Sequence, residues 1–283
     1  MTIKSELLAL VEQASRQCLL PDVSAIHMPE PAPAPDKDAE FGMVMLEDGS
    51  AGLYYAWLGA SQRGMNEHFP MAHLTSLSAL ELAGYYRSDA EDKCSLGLAA
   101  INAITRCVYR HAGYSPPAAM DSLGAATINS KDHVGMVGYF PALVKKLREK
   151  QTRLTVIEIK SQFAAQDELV QVTLDPMQLY ACNKILITAS TPLNNTLDDI
   201  LQYAKHAENI TVLGPTAGFF PDPLFTRGVT AVGGTEITDA VTAIQRLRNK
   251  QSLGDAARKF LVTRDSYPGF RQLFSTRGRP DQH

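Results

Sequence analysis

The second half of the chain alternates between short apolar runs and helix-forming segments, and this alternation constrains the fold more than any other feature. Strand–helix alternation is typical of a parallel sheet with helices on its faces, and near-continuous apolar runs fit strands that are covered on both sides. The sequence therefore predicts an α/β fold with a Rossmann-like parallel-sheet domain over residues 131–250 and a C-terminal extension over residues 251–283. The predicted strands are residues 133–138, 153–159, 184–189, 209–214 and 229–234, and the predicted helices are 141–150, 194–206 and 236–249.

The first 130 residues follow a different pattern, which predicts a separate N-terminal α+β domain over residues 1–130. Two apolar runs flank Asp48-Gly49, a pair that is typical of a hairpin turn between two strands. Alternating prolines upstream of the hairpin predict an exposed connector, because proline fits neither a helix interior nor a sheet ladder. The predicted elements are helix 3–19, connector 29–40, hairpin strands 41–47 and 51–57, and helices 75–86 and 92–111.

Composition and charge exclude several classes of protein. Hydrophobic residues make up 45% of the 283 residues and charged residues 20%, which excludes a wholly disordered chain. The net charge of −3 gives no basic excess for phosphate backbones, so no nucleic acid partner is expected. No apolar run approaches the roughly 18 residues of a membrane span, and no signal peptide is recognisable. We expect a cytoplasmic protein without a membrane partner, and a homo-oligomer is compatible with the sequence.

Cysteine and histidine spacing gives little support to a metal site built from these side chains. Cys18, Cys94, Cys107 and Cys182 form no C-x-x-C pair and are expected to be buried thiols. No two histidines have the i, i+4 spacing of a helical zinc motif. A metal is therefore expected to arrive bound to a small organic chelator or to be held by oxygen atoms.

Ligands of open parallel sheets bind beyond the carboxyl ends of the strands, and the first two strand ends carry candidate residues. After the first strand, Gly135 and Gly138 allow a tight turn before a helix start that could bind a polar ligand. Tyr139 and Phe140 follow where a pyrophosphate needs bare backbone, so the dinucleotide signal is weak and a structural turn stays open. Glu158, 20 residues after Gly138, either binds a ribose or is a solvated carboxylate.

The next two strand ends add short polar residues. Thr196 and Asp199 are spaced like a helix N-cap pair, whereas the other side chains suit a neutral ligand with several hydrogen bonds. Upstream, Asn102 is either a core amide or a polar group that points into a cleft. We expect these residues to surround one cavity with Gly138 and Glu158. The candidates added here are Thr188, Ser190, Asn194, Asn195, Thr196, Gly214, Pro215 and Thr216.

The joint spacing of five segments carries a resemblance to a known family. The segments are VGMVGYFPALVKKL, LTVIE, ILITASTPLNNTLDDIL, VLGPTAGFFPDPLFTRGV and AVGGTEITDA. Together they resemble the Rossmann-like domain of the putative heavy-metal chelation proteins over about residues 131–242, and GLAAINA (97–103) resembles their enolase N-terminal-like domain. Asn195 departs from this resemblance, because a glycine is common at that place in the family. The resemblance implies a site between the two domains and a role in handling metals or metal-chelating molecules.

Three hypotheses on function follow. The first is a small-molecule site between the two domains that serves metal-chelate handling or an enzyme step, with a transition metal or metal chelate as the ligand. The second is a nucleotide- or S-adenosylmethionine-dependent enzyme, a dehydrogenase or a transferase, with an adenosyl nucleotide as cofactor. The third is a non-catalytic sensor that uses the same pocket. No Ser-His-Asp order, Walker lysine or paired-cysteine motif decides among them.

Overall fold

A seven-stranded sheet dominates the second half of the chain. The computed structural model describes residues 1–29, 41–56, 65, 69–119, 127–158 and 167–275. Within these ranges the strands of the large sheet lie in the order β10-β9-β8-β7-β4-β5-β6. β4 to β9 are parallel, and β10 pairs antiparallel with β9. The strands are β4 (His133–Val137), β5 (Arg153–Ile157), β6 (Val170–Thr173), β7 (Lys184–Thr188), β8 (Asn209–Leu213), β9 (Ala231–Ile237) and β10 (Ala257–Thr263).

The order of the parallel strands creates one crevice. β4 comes first in the chain, β5 and β6 lie on one side of it, and β7 to β9 lie on the other. This is the 3-2-1-4-5-6 order of dinucleotide-binding sheets, in which the winding direction reverses between the first and fourth strands. The reversal point here lies between β4 and β7, whose carboxyl ends are followed by the loops that begin at Gly138 and Ala189.

The first half of the chain forms a three-stranded antiparallel sheet with helices. Its strands are β1 (Val23–His27), β2 (Phe41–Leu46) and β3 (Ala51–Tyr55), in that spatial order. The hairpin turn between β2 and β3 has Gly49 at φ +79°, as Asp48-Gly49 predicts. The helices of this half are α1 (Ile3–Gln17), α2 (Met71–Leu74), α3 (Ala79–Gly84) and α4 (Glu91–His111).

The helix α4 is the centre of the molecule. Between Cys94 and Tyr109 every residue except Arg106 is buried. Its small residues let neighbours approach closely, because a Cβ on Gly97 would lie 2.1 Å from the backbone nitrogen of Tyr86. One apolar core joins this helix to α1 and to the β7–β8 side of the large sheet through residues such as Phe219 and Phe220. The two sheets are therefore packed against a shared helix.

Two smaller apolar cores complete the packing. One lies between the β4–β5 part of the large sheet and α5 (Pro141–Glu149), and includes Met136 and Leu147. The other places Met43 and Leu53 of the small sheet against α8 (Ala240–Arg248). The remaining helices are α6 (Leu197–Ala204), α7 (Asp222–Phe225) and α9 (Gln272–Ser275).

The predicted fold class is confirmed, and three details differ from the sequence prediction. β1 and β6 were not predicted, and the segment after residue 251, predicted only as an extension, contains a short 3-10 helix (Gly254–Ala256) followed by strand β10. Glu236, predicted to start a helix, lies in β9, where it pairs with Arg258 of β10. The helix begins only at Ala240, after the Asp239 side chain caps the amide of Thr242.

The division into domains 1–130, 131–250 and 251–283 stays a prediction. The small and large sheets are separate, and β10 contributes the predicted extension's first strand to the large sheet. The connector at 29–40 falls almost entirely outside the described residues, as do Trp57 and the end of the C-terminal segment. All four cysteines are buried free thiols, as predicted.

Acid is expected to destabilise the protein through His27, at the end of β1. Burial, together with the positive charge of Arg248, lowers the pKa of this imidazole to about 4. The unfolded chain keeps a pKa near 6.5, so it binds more protons between about pH 6.5 and pH 4. The stability that the folded protein gains from keeping His27 neutral is therefore complete above pH 6.5 and is lost as the pH falls to 4. Urea unfolding of the wild type and of His27→Gln across this range checks it, and equal pH dependence of the two proteins would contradict it.

Candidate functional site

The crevice between β4 and β7 carries a compact set of polar groups, which we call the switch-point group: Gly138, Tyr139, Glu158, Thr188 and Ser190. Gly138 has φ +85°, and a Cβ there would lie 3.1 Å from the Thr188 side chain. The hydroxyls of Thr188 and Ser190 lie 3.0 Å apart, and either can donate. The carboxyl ends of the two strands therefore meet closely, with hydroxyl groups beside a glycine turn.

Glu158 extends this group along the edge from the end of β5. The backbone N–H of Tyr139 donates to Glu158 Oε2 at 2.9 Å, which fixes the carboxylate next to the Gly138 turn. Tyr55, at the end of β3, approaches from the small sheet. Burial raises the pKa of the Tyr55 phenol, and the negative charge of Glu158 raises it further. The end of β3 therefore interacts electrostatically with the end of β5.

The loop after β7 is held by its own side chains and by the N-terminal half. The Asn194 side-chain oxygen accepts from the Thr196 hydroxyl at 2.7 Å, and both Asn194 and Asn195 are exposed. Asn195 has φ +58°, so it takes the left-handed conformation that glycine adopts more freely. Thr196 is the N-cap residue of the helix that begins at Leu197, as predicted, but its side chain makes no cap bond, because its hydroxyl donates to Asn194 instead. The Tyr86 hydroxyl donates to Pro192 O at 2.9 Å, and this hydrogen bond connects the loop to the N-terminal half.

The loop after β8 joins the two halves through Asn102. Gly214 has φ +147° and approaches Ala189, and the Thr216 hydroxyl donates to Ala189 O at 2.9 Å. The Asn102 side-chain nitrogen donates to Leu53 O and to Thr216 O, each at 2.9 Å. Asn102 therefore connects α4, β3 and this loop with a single amide.

Asn102 also lines a small pocket between the halves, which we call the seam pocket. Its walls include Leu53, Asn102, Arg106, Pro215, Glu236 and Phe260, and its volume is about 20 Å³. Asn102 is 3% exposed, and its Oδ1 finds no hydrogen-bond partner among the residues that the structure describes. Such a pocket holds about one water-sized group.

Charge surrounds the mouth of the seam pocket. The buried carboxylate of Glu236 makes ion pairs with Arg106 of α4 and with Arg258 of β10. Arg258 also donates to Pro116 O at 2.9 Å. Burial lowers the pKa of Arg106, and Glu236 opposes this effect. The cluster of two guanidiniums and one carboxylate carries one net positive charge.

The structure brings most of the predicted site residues into two neighbouring places. Gly138, Tyr139, Glu158, Thr188 and Ser190 share the switch point, whereas Asn102 and Pro215 line the seam pocket. Thr216 and Gly214 lie between them, against Ala189. Their predicted role in ligand binding stays a prediction.

Five of the predicted residues lie away from both places or position neighbouring elements, and Thr196, which is bonded to Asn194, is one of them. Gly135 sits inside β4, where a Cβ would lie 2.7 Å from Leu179. Phe140 is the N-cap of α5 and packs on the core beneath that helix. Asn194 and Asn195 are on the surface of their loop. Gly135 and Phe140 thus position the strand and helix that carry Gly138.

Sequence reasoning missed Tyr55, Arg106, Glu236 and Arg258. Arg106 had one usable signal, since it is a charged residue one helical turn after Asn102 in an otherwise small and apolar run. No pattern in the sequence predicts the pairing of Glu236 with two arginines, because the three residues come from distant parts of the chain.

Across the described ranges, histidine, cysteine, aspartate and glutamate side chains nowhere gather in a group of three that could hold a metal ion. The switch-point group offers one carboxylate with hydroxyl groups, a set that fits hydrogen bonding to an organic molecule better than direct coordination of a soft metal. Each helix in the part of the chain that the structure describes is too short or too polar to span a bilayer.

Comparison with known proteins identifies the family to which this chain is similar. A family model described as putative heavy-metal chelation matches residues 121–263. An uncharacterised protein from Methanocaldococcus jannaschii is 27% identical over 154 residues, which are 54% of this chain and 58% of that protein. The chain therefore spans somewhat more than half the length of this curated relative.

Two solved structures of unknown function from the DUF364 family are similar to the whole chain. The protein from Pyrococcus horikoshii has a TM-score of 0.63 and 21% identity, and the match covers 91% of this chain and 99% of that one. The protein from Desulfitobacterium hafniense has a TM-score of 0.59 and 18% identity, with 92% and 99% covered. At these identities the likeness establishes the shared fold.

Proposed function

Because this chain belongs to the putative heavy-metal chelation family, we propose that it binds a small metal-chelating molecule, or the metal complex of one, at the switch-point group. The observation that carries the proposal is the meeting of Gly138 with Thr188 and Ser190 at the reversal point of the sheet. Open parallel sheets bind their ligands at this place, outside the carboxyl ends of the strands.

The polar groups suit an uncharged or weakly charged organic ligand with several hydrogen-bonding atoms. Two hydroxyls can each donate or accept, and the Glu158 carboxylate accepts from ligand O–H or N–H groups in a direction fixed by the Tyr139 amide. Tyr55 of the small sheet lies near enough to Glu158 to interact with it electrostatically, so a ligand bound here would lie near both halves of the chain. The metal is cargo in this proposal, carried by the organic molecule rather than by protein side chains.

A nucleotide- or S-adenosylmethionine-dependent enzyme is the second candidate. The strand order matches dinucleotide-binding sheets, and Glu158 follows β5 at the place where an acidic residue binds a ribose hydroxyl. Against it, Tyr139 donates its backbone N–H to Glu158 instead of leaving the carboxylate to a ribose alone. Tyr139 and Phe140 also bring bulk to the turn that should cradle a pyrophosphate.

Native mass spectrometry of the freshly purified protein, with elemental analysis, tests the proposal. A retained organic mass that carries a metal is the expected result. A nicotinamide or adenosyl mass would favour the second candidate, and a protein that retains no small molecule would contradict the proposal.

Glu158→Gln is expected to lower the fraction of protein that carries the retained mass about tenfold or more. The variant keeps the side-chain shape and an acceptor for Tyr139 but loses the charge, and hydrogen bonds to charged groups contribute about 1.5–3 kcal/mol. Glu208→Gln is the matched control, since Glu208 is 67% exposed and pairs with Lys184 at the opposite end of β7. Equal occupancy in Glu158→Gln and in the control would show that Glu158 does not contact the ligand.

A further inference from the structure

We propose that the seam pocket is a second binding site, separate from the switch-point group, and that it takes a small α-hydroxycarboxylate anion. The ligand would place its hydroxyl on Asn102 and its carboxylate on Arg106. This inference rests on the seam pocket alone and does not require the proposed function of the switch-point group.

The first observation is the buried acceptor. Both hydrogens of the Asn102 amide are used, by Leu53 O and Thr216 O, which fixes the orientation of the group. Its Oδ1 is left without a donor among the described residues, although the side chain is 97% buried and borders the pocket. A buried acceptor of this kind is costly unless a donor reaches it from a ligand or a water molecule. The pocket therefore needs an O–H or N–H group at its inner end.

The second observation is the positive charge beside that acceptor. Arg106 uses Nη1 for Glu236, and a guanidinium carries five N–H groups in a planar fork. Its side chain is 22% exposed, so the remaining edge of the fork can be reached from solvent. Glu236 also pairs with Arg258, which leaves the cluster with one uncompensated positive charge. A carboxylate matches this fork geometry and is small enough to lie beside Glu236 at a partly buried guanidinium.

The size and spacing of the two groups limit the ligand. About 20 Å³ admits one hydroxyl-sized group at the inner end, while the larger anionic group stays at the mouth. Asn102 and Arg106 are four residues apart on one face of α4, so their Cβ atoms lie about 5–6 Å apart. Both side chains therefore extend from one face of α4 to the pocket that they line. The positive charge of the cluster disfavours an ammonium as the donor, so an α-hydroxy acid fits better than an α-amino acid.

Titration calorimetry of the full-length protein with glycolate, acetate and glycine tests the inference. Glycolate has both groups, acetate lacks the donor, and glycine replaces the hydroxyl with an ammonium. We expect glycolate to bind at least tenfold more tightly than either of the other two. Equal affinities for glycolate and acetate would overturn the assignment of the hydroxyl to Asn102, and this comparison needs no variant.

Arg106→Met, which keeps the length of the side chain and removes the fork, should weaken glycolate binding at least tenfold. Arg110→Met is the matched control, because it removes the same charge one helical turn away, where Arg110 pairs with Asp48 instead of Glu236. Unchanged glycolate affinity in Arg106→Met, or an equal loss in Arg110→Met, would show that binding depends on general charge and not on the pocket. Glu158→Gln should leave glycolate affinity unchanged, so that failure of either proposed site can be recognised separately.

Discussion

Replacing Gly52 with alanine is expected to lower the free energy of unfolding by about 3 kcal/mol. Gly52 lies in β3 where helix α4 crosses the small sheet. A Cβ on Gly52 would lie 2.2 Å from Ala99 O and 2.6 Å from both Ala103 N and the Asn102 Cβ. Two of these neighbours are backbone atoms of a buried helix, which cannot turn aside as a flexible side chain does. Inserting a methyl group into a filled core costs about 1–3 kcal/mol and sometimes more, and this site belongs at the upper end.

Urea unfolding followed by circular dichroism measures the effect, with Gly84→Ala as the matched control. Gly84 is in helix α3, where the nearest atom to a new Cβ is the flexible guanidinium of Arg87 at 3.2 Å. Alanine in a helix is favoured over glycine by about 0.5–1 kcal/mol, so this variant should equal or exceed the wild type. A Gly52→Ala midpoint at or above that of the wild type would mean that α4 does not lie so close to β3.

The parallel strands could be predicted because burial on both faces makes them apolar at nearly every position. Ile185, Leu186 and Ile187 are all buried, with alternate residues in different cores on the two faces. The five predicted runs each overlap a strand of the large sheet. The small residues of GLAAINA are a second informative feature of the sequence, because Gly97 and Ala99 allow Tyr86 and Gly52 to lie close to the helix.

Edge strands could not be predicted because they are partly solvated. In β10, Lys259 is exposed while Phe260 is buried, and Arg258 points its charge to Glu236. A mixture of polar and apolar residues over such a short segment is as compatible with a turn of helix as with an edge strand. Glu236 presents the same difficulty, since a carboxylate inside a sheet is tolerated only when cations from elsewhere in the chain reach it.

Asn102 shows how far sequence reasoning reaches into the site. Its two interpretations, a core amide and a polar group in a cleft, were both reasonable from an apolar helical context. In the structure the nitrogen bonds to two backbone oxygens, while the oxygen has no partner among the described residues and the residue lines the seam pocket. The orientation of the amide depends on the carbonyl oxygens of Leu53 and Thr216, whose positions follow only from the packing of three distant segments.

Removing the charge of Glu236 is expected to be the second most damaging change, with Glu236→Gln lowering the free energy of unfolding by about 3 kcal/mol. The Glu236 side chain is 4% exposed, and among the described residues it is the carboxylate that pairs with both Arg106 and Arg258, which are 22% and 31% exposed. Breaking a buried ion pair from one side costs about 3–5 kcal/mol, because the partner is left buried without compensation. Partial access of water to both arginines places the expected loss at the lower end. Urea unfolding at neutral pH measures it.

Two companion variants separate this mechanism from a general loss of charge. Asp255→Asn removes a carboxylate from Arg246, but Asp255 is 91% exposed, so its urea midpoint should stay close to that of the wild type. Arg258→Met added to Glu236→Gln should recover part of the loss, because it removes one of the two uncompensated guanidiniums. Recovery would be incomplete, since Arg258 also donates to Pro116 O. If the double variant were instead less stable than Glu236→Gln, the hydrogen bonds of Arg258 to the 115–116 segment, rather than its charge, would be what joins β10 to the N-terminal half.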